Sequence, residues 1–180
     1  GPNTAKSAPM STRPPATLPP IETPLLWLED VARPEWTDGN GHMSAVHYAV
    51  VFEQAVSALL QRVGLSYRYA EETRRGAFLL DWHITFVREV MEGARLTFPT
   101  RIVDMTDKAF HYYIEMRAGE EQYLAAVSEG VELHMDLDAR RPVPFAPAIG
   151  AWFHAAVEAH KTLGPPEHTG RVVKIKRKGE

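Results

Sequence analysis

The chain has 180 residues, 44% of them hydrophobic and 24% charged, with a formal net charge of -3. That length suits one domain with a real core, and the charge excludes a global attraction to nucleic acid or acidic lipid. There is no cysteine, which excludes disulfides, thiol nucleophiles and Cys-ligated metals.

No apolar run approaches the roughly 20 residues that span a bilayer, and no signal peptide is visible. The expectation is a soluble cytoplasmic protein with no membrane or nucleic-acid partner. Residues 1–24 hold seven of the fourteen prolines and little periodic apolar pattern. They read as a disordered or loosely draped arm. Gly1-Pro2 looks like the scar of a cleaved tag, and Met10 is a candidate natural start.

Leu25 to Val31 is a short apolar run ended by Arg33-Pro34, the expected first strand. A turn-rich stretch comes after it, Thr37-Asp38-Gly39-Asn40-Gly41. Next, Tyr48, Phe52, Ala55, Leu59 and Val63 recur at spacings of four, three, four and four, one face of a long helix. Ser44 is its expected N-cap and Gly64 its stop. Most of its surface is apolar, so something should wrap it.

Period-two patterns come next. Leu80, Trp82, Ile84 and Phe86 share one strand face. Leu96, Phe98, Thr100 and Ile102 repeat it, with Pro99 marking an edge or bulge. Phe110, Tyr112, Ile114 and Met116 form a third strand. Tyr123, Ala125, Val127, Val131, Leu133 and Met135 form a fourth. The breaks, Asp104–Lys108 and Ala118–Gln122, are short enough for antiparallel hairpins. The fold class is therefore α+β, a curved antiparallel sheet around one long helix. His83, His111 and His134 alternate with the apolar faces and are expected on exposed or interface surfaces. Residues 138–180 form an extension, with a weaker helical pattern over Ile149–His160. Five basic residues occupy the last ten positions; they are either a solvated tail or a phosphate-binding patch.

A strand, then Asp-x-x-Gly-His, then a long helix and a four-stranded meander resembles the hotdog thioesterases of the 4-hydroxybenzoyl-CoA thioesterase type, over residues 25–137. In that family the aspartate at the place of Asp38 is the general base or nucleophile, and the helix start gives a backbone amide to the carbonyl oxygen. Tyr48 and Phe52 fall where the family often carries aromatics. Many relatives follow Gly-His with an Asn pair, whereas this chain has Met43-Ser44-Ala45. Three segments, Pro34–Met43, His83–Val90 and Glu132–Asp136, resemble more specifically the betainyl-CoA thioesterases of carnitine breakdown, which occur alone or fused to carnitine dehydrogenase. The implied substrate is betainyl-CoA, a short thioester with a trimethylammonium group. The implied assembly is a homodimer or tetramer with sites between chains.

The residues themselves support such chemistry. Thioester hydrolysis needs a group that activates water or attacks, and donors for the oxyanion. Asp38 offers the first, and the amides near Ser44 and Ala45 the second, aided by the helix dipole. The plainer role for Asp38 is to cap its own turn. His42 either polarises the carbonyl or shapes the loop. Asp38, His42 and His47 do not share a helix face, so no metal site is expected, and no cofactor beyond the coenzyme A of the substrate. Glu53 is either a second carboxylate facing the cleft or a helix-surface charge. A quaternary ammonium is recognised by ring faces, so the acyl pocket is assigned to Trp36, Asn40, Tyr48 and Trp82. Core packing is the alternative for the aromatics. Arg140 and Arg141 are either candidates for coenzyme A phosphates or part of a solvated turn. Two rival functions stand: a hydratase or dehydratase on the same fold, and a non-catalytic acyl-CoA binding module. The hydratase motif places four residues between its Asp and His, and this chain has three.

Overall fold

An apolar stripe at helical spacing becomes the centre of the molecule. In the computed structural model, which describes residues 17–179, the first strand β1 is Glu29–Val31 and the central helix α1 is Ala45–Arg62. Tyr48, Val51, Phe52, Ala55, Val56 and Leu59 bury the α1 stripe. Each large side chain buried this way stabilises the fold by about 1.5–3 kcal/mol. Val63 caps the helix, and Gly64 comes next at φ +83, a left-handed turn that glycine adopts without strain.

The rest of the chain supplies the wrap, as α2 (Tyr67–Thr73), β2 (Arg75–Phe86), β3 (Arg95–Thr97), β4 (Thr100–Met105), β5 (Ala109–Ala118), β6 (Tyr123–Asp136), β7 (Arg141–Pro142) and α3 (Pro147–His160). The sheet runs β1-β3-β5-β6-β2, with β4 beside β5 and β7 beside β6, and every pairing is antiparallel. A curled antiparallel sheet around one long helix is the hotdog arrangement expected from the sequence.

Several expectations need correction. The first strand is shorter than Leu25–Val31. Leu25 forms only a lone bridge to Thr100, with hydrogen bonds of 2.9 Å in both directions. The Leu96–Ile102 strand breaks at Pro99, which has no N–H to give to the ladder. Its register is nonetheless continuous, Thr97 facing Arg117 and Thr100 facing Ile114. The short helix α2 was not foreseen; Ser66 caps it by accepting from the Tyr69 amide at 3.3 Å. Residues 17–24 are packed rather than loose. Leu18 and Ile21 rest on the core, and the Pro19 carbonyl accepts from Trp152 Nε1 at 2.8 Å. The rest of the expected arm, residues 1–16, lies outside the described residues.

The largest correction concerns β6. Ala126, Ser128, Gly130 and Glu132 face inward, because they pair in register with Met116, Ile114, Tyr112 and Phe110 of the buried face of β5, and His134, two residues further along, continues that face. Leu133 and Met135, read as the apolar inner face, point the other way. His134 is thus wholly buried, not on a surface. α3 extends the inner layer: Phe153 stacks on Phe110 at 4.3 Å between centroids. After α3 the chain returns across the outer face, where the Gly170 amide donates to Glu129 Oε1 at 2.7 Å. The final basic stretch is largely exposed.

Candidate active site

Asp38 sits in a loop that the sequence folds tightly. Thr37 bridges Met43, the Asp38 amide donates to the His42 carbonyl at 2.8 Å, and the Gly41 amide donates back to the Asp38 carbonyl at 3.1 Å. Gly41 turns at φ +78, which is why a glycine stands there. The Asp38 carboxylate accepts through Oδ1 from the Asn40 amide at 2.8 Å and the His42 amide at 3.3 Å. Asp38 is exposed. It therefore performs the turn-capping role and also presents a fixed carboxylate to solvent, one bend before α1.

Ser44 precedes α1 as its N-cap, but its hydroxyl caps no amide. It pairs with His47 Nδ1 at 2.6 Å, and its own amide donates to the Trp36 carbonyl at 2.9 Å. The Ser44 amide, assigned to the oxyanion, is thus already engaged. Ala45 and Val46 open the helix, so their amides have no intrahelical acceptor and carry the positive end of the dipole. Both residues are exposed.

His42 Nε2 meets Glu89 Oε2 at 3.0 Å, and the His42 backbone bridges Met91. The segment after β2 is thus tied to the Asp38 loop. Between them lies an open cleft of about 740 Å³, whose lining includes Met43, Ala45, Tyr48, Phe86, Arg88 and Tyr123. Tyr48 meets Phe86 edge-on at 5.1 Å. Arg88 lies over the Tyr123 ring at 4.0 Å. Arg88 was not singled out from the sequence, although its segment was; a cation directly after the apolar pair Phe86-Val87 was the available signal.

Other assigned residues fall elsewhere. Trp36 is core, 6% exposed, with Arg33 over its ring. Trp82 is half-buried and donates from Nε1 to Ser128 Oγ at 2.7 Å. Neither lines the cleft. Asn40 is exposed at the loop tip. Arg140 and Arg141 are exposed, beside the start of β2, where Asp136 pairs with both Arg75 and Arg141. A 12-residue strand spans about 36–40 Å when extended, so within one protomer these arginines lie at the opposite end of the sheet from the Asp38 loop.

A second cavity, of about 260 Å³, opens between α1, α2 and the start of β2. Glu53 and Glu132 both line it. Burial, aided by the Glu53 charge, pushes the Glu132 carboxyl up to about 7, and burial raises Glu53 as well. Glu132 was missed because the apolar face of β6 was read through Val131, Leu133 and Met135, with which it alternates.

Among the described residues the outer edge of β2 is unpaired, and it is apolar: Phe78, Leu79, Leu80 and Phe86 are 41–65% exposed. On α1, Val46 and Val50 are exposed too.

Comparison with known proteins adds four findings. The model of the Thioesterase-like superfamily matches residues 32–153. A betainyl-CoA thioesterase of Pseudomonas aeruginosa PAO1 is 35% identical over 156 residues, 87% of this chain and 94% of that protein. An L-carnitine dehydrogenase/betainyl-CoA thioesterase of Agrobacterium fabrum C58 is 35% identical over 147 residues, 78% of this chain but 29% of that longer protein. Among solved structures, a hypothetical protein of Staphylococcus aureus in complex with CoA superposes with a TM-score of 0.79 at 23% identity, covering 86% of this chain and 98% of its own.

Proposed function

The chain belongs to the Thioesterase-like superfamily and is an acyl-CoA thioesterase, and from that premise we propose that it hydrolyses betainyl-CoA to the free acid and coenzyme A with Asp38 as the reacting carboxylate. The observation that carries the reading is the Asp38 loop. It fixes a carboxylate in solvent one bend before the two free amides of α1. The betainyl substrate follows from the similarity to the Pseudomonas enzyme over nearly its whole length.

In this reading the thioester carbonyl oxygen lies against the Ala45 and Val46 amides, whose dipole favours the charge that develops there. Asp38 either removes a proton from the attacking water or attacks the carbonyl itself and is then freed by water. In both routes the C–S bond breaks, coenzyme A leaves as thiolate, and the proton from water returns to it. Carboxylate, water and amides complete the reaction, so no cofactor is assigned, and a cytoplasmic location follows the substrate.

The reading includes a homodimer. An unpaired apolar strand edge is an unstable surface for a monomer, and an isologous partner presents the same edge. Antiparallel pairing of β2 with its copy about the strand midpoint sets residues 76–79 opposite the partner's residues 82–85. Arg140 and Arg141 of one chain then approach the Asp38 loop of the other, a workable place for coenzyme A phosphates.

The test is thiol release from betainyl-, acetyl-, 4-hydroxybenzoyl- and a long-chain acyl-CoA. The expected result is betainyl-CoA turnover that falls about a hundredfold or more in Asp38→Asn. Full activity of that variant removes Asp38 from the chemistry. Turnover of another thioester alone removes the betainyl assignment.

A further inference from the structure

The cavity between α1, α2 and β2 contains an unusual group. Glu132 is 3% exposed and lines the cavity, yet no hydrogen bond or ion pair joins it to another described residue. Its strand neighbours are treated otherwise. Glu129 meets His111 at 2.9 Å and the Gly170 amide at 2.7 Å, and His134 is held on both ring nitrogens. A buried carboxylate without a partner costs several kcal/mol, and folds keep one only where something offsets it.

The rest of the cavity wall indicates what offsets it. Glu53 stands at the solvent side, on the exposed face of α1. The remaining wall is apolar or neutral, with Tyr67, Phe78, Leu60 and Leu65 among its members, and it includes no lysine, arginine or histidine. Two carboxylates among apolar and aromatic groups, with no hydrogen-bonded cation of the protein's own, suit a positive ligand that donates no hydrogen bonds. That is the chemistry of a quaternary ammonium, which binds through charge and ring faces.

We propose that this cavity is the cation subsite of the enzyme, with Glu132 at its floor and Glu53 at its rim holding the trimethylammonium end of the acyl group. The assignment rests on the betainyl-CoA reading and names the residues that give it specificity. Burial raises both carboxyls and the Glu53 charge raises Glu132 further; a cation lying between them favours the ionised form of each.

Position supports the same assignment. In betainyl-CoA one methylene separates the ammonium nitrogen from the thioester carbon. Glu53 lies eight residues along α1 from Ala45, about 12 Å of helix, a span longer than the acyl group itself. The edge of β2 that lines the cavity, residues 76–79, is the edge that faces the partner's residues 82–85 in the proposed dimer. The loop after those residues carries the partner's His42 contact and with it Asp38 of the partner subunit. Each site is then composite: subsite from one chain, carboxylate base from the other.

The experiment compares betainyl-CoA with 3,3-dimethylbutanoyl-CoA, which has carbon in place of the ammonium nitrogen and the same shape. Wild-type protein is expected to favour the cationic thioester by about tenfold or more in kcat/KM, and Glu132→Gln to cut that ratio by a similar factor, mainly through KM. Glu53→Gln, at the exposed rim, reports the same ratio should Glu132→Gln fold poorly, with a smaller fall expected. An unchanged ratio in both variants overturns the subsite. So does an equal loss on both thioesters, which makes the pair catalytic or structural. Tetramethylammonium chloride, against sodium chloride at equal ionic strength, gives a readout independent of hydrolysis. It is expected to raise the melting temperature of wild type and not of Glu132→Gln. If neither thioester is hydrolysed, the betainyl reading fails while this shift still decides the subsite, and a wild-type shift of zero overturns it.

Discussion

His134 and Glu132 lie two residues apart on the inner face of β6, and the fold treats them oppositely. The His134 ring accepts from the Tyr69 hydroxyl at Nε2, 2.9 Å, and donates from Nδ1 to the Val143 carbonyl at 2.9 Å. Those bonds fix a neutral tautomer. On the α3 flank His160 does the same: the Ile102 amide donates to Nδ1 at 2.9 Å, and Nε2 donates to the Glu22 carbonyl at 2.9 Å. Burial lowers both histidines below their usual range. Glu132 has no such partners among the described residues and is pushed up instead. The satisfied groups pin loops to the sheet, while the unsatisfied one marks a cavity suited to a ligand. The comparison separates structural from functional burial without reference to any relative.

The largest effect is expected from removing a pin. His134→Ala deletes a ring packed between Tyr69 and Phe145 and leaves a hydroxyl and a carbonyl without partners. A loss of about 4 kcal/mol is expected, near 10 °C in melting temperature for a chain of this size. A shift of only a degree or two by calorimetry means that His134 is no pin.

Glu132→Gln has the opposite sign. The folded-state carboxyl, at about 7, binds its proton more tightly than the unfolded one at 4.5. The folded state is therefore penalised when the group ionises. The penalty is absent below about 4.5, grows as pH rises through the window, and is complete above about 7. It amounts to at most about 3 kcal/mol. Urea unfolding is expected to show Glu132→Gln more stable than wild type at pH 8 and equal to it at pH 4.5. The histidines oppose this trend in wild type. Their folded values lie below the unfolded 6.5, so their stabilisation is lost as pH falls below about 6.5. Only the difference between the two proteins isolates Glu132. A variant less stable than wild type at pH 8 shows that the carboxylate has a partner.

A medium effect is expected one pair further along β6. A Cβ on Gly130 meets the Tyr112 hydroxyl in a severe overlap and the Asp81 carbonyl at 2.9 Å. Gly130→Ala should cost about 1–3 kcal/mol, and a neutral result in the same urea experiment means that Tyr112 swings aside.

Much of this architecture was legible in the chain. The four-three-four-four spacing gives α1 because a helix must bury one stripe, and Gly64 ends it for a reason visible in the sequence. The Asp38 loop was legible through Asp-Gly-Asn-Gly, whose only folding option is a tight turn. The inner face of β6 was not legible. Polarity suggested Val131, Leu133 and Met135 inside, but pairing with β5 decides parity and puts Ser128, Glu132 and His134 there. The apolar residues then line the outer side near the unpaired β2 edge, where Leu133, Met135 and Phe78 share a shallow hollow. Sequence polarity failed at the strand that carries both the pins and the cavity. That is expected where function places polar groups inside. Ser44 is the N-cap that the sequence shows, but the carbonyl of Trp36 that takes its amide is not visible there.

The finest distinction is between two tyrosine hydroxyls on either side of this strand. Tyr69 donates to His134, so Tyr69→Phe leaves a buried ring nitrogen unpaired and should cost about 1 kcal/mol. The Tyr112 hydroxyl is buried without a hydrogen-bond partner among the described residues. Removing it deletes a desolvated polar atom and leaves the ring in place, so Tyr112→Phe should change stability by less than about 0.5 kcal/mol, or raise it. Both substitutions remove one oxygen from a buried ring, so lost packing volume cancels between them. If the two losses are equal, satisfied and unsatisfied polar groups do not differ in this core, and the reading of Glu132 as a group awaiting its ligand loses its physical basis. If Tyr69→Phe alone is costly, the bonds to His134 carry the difference.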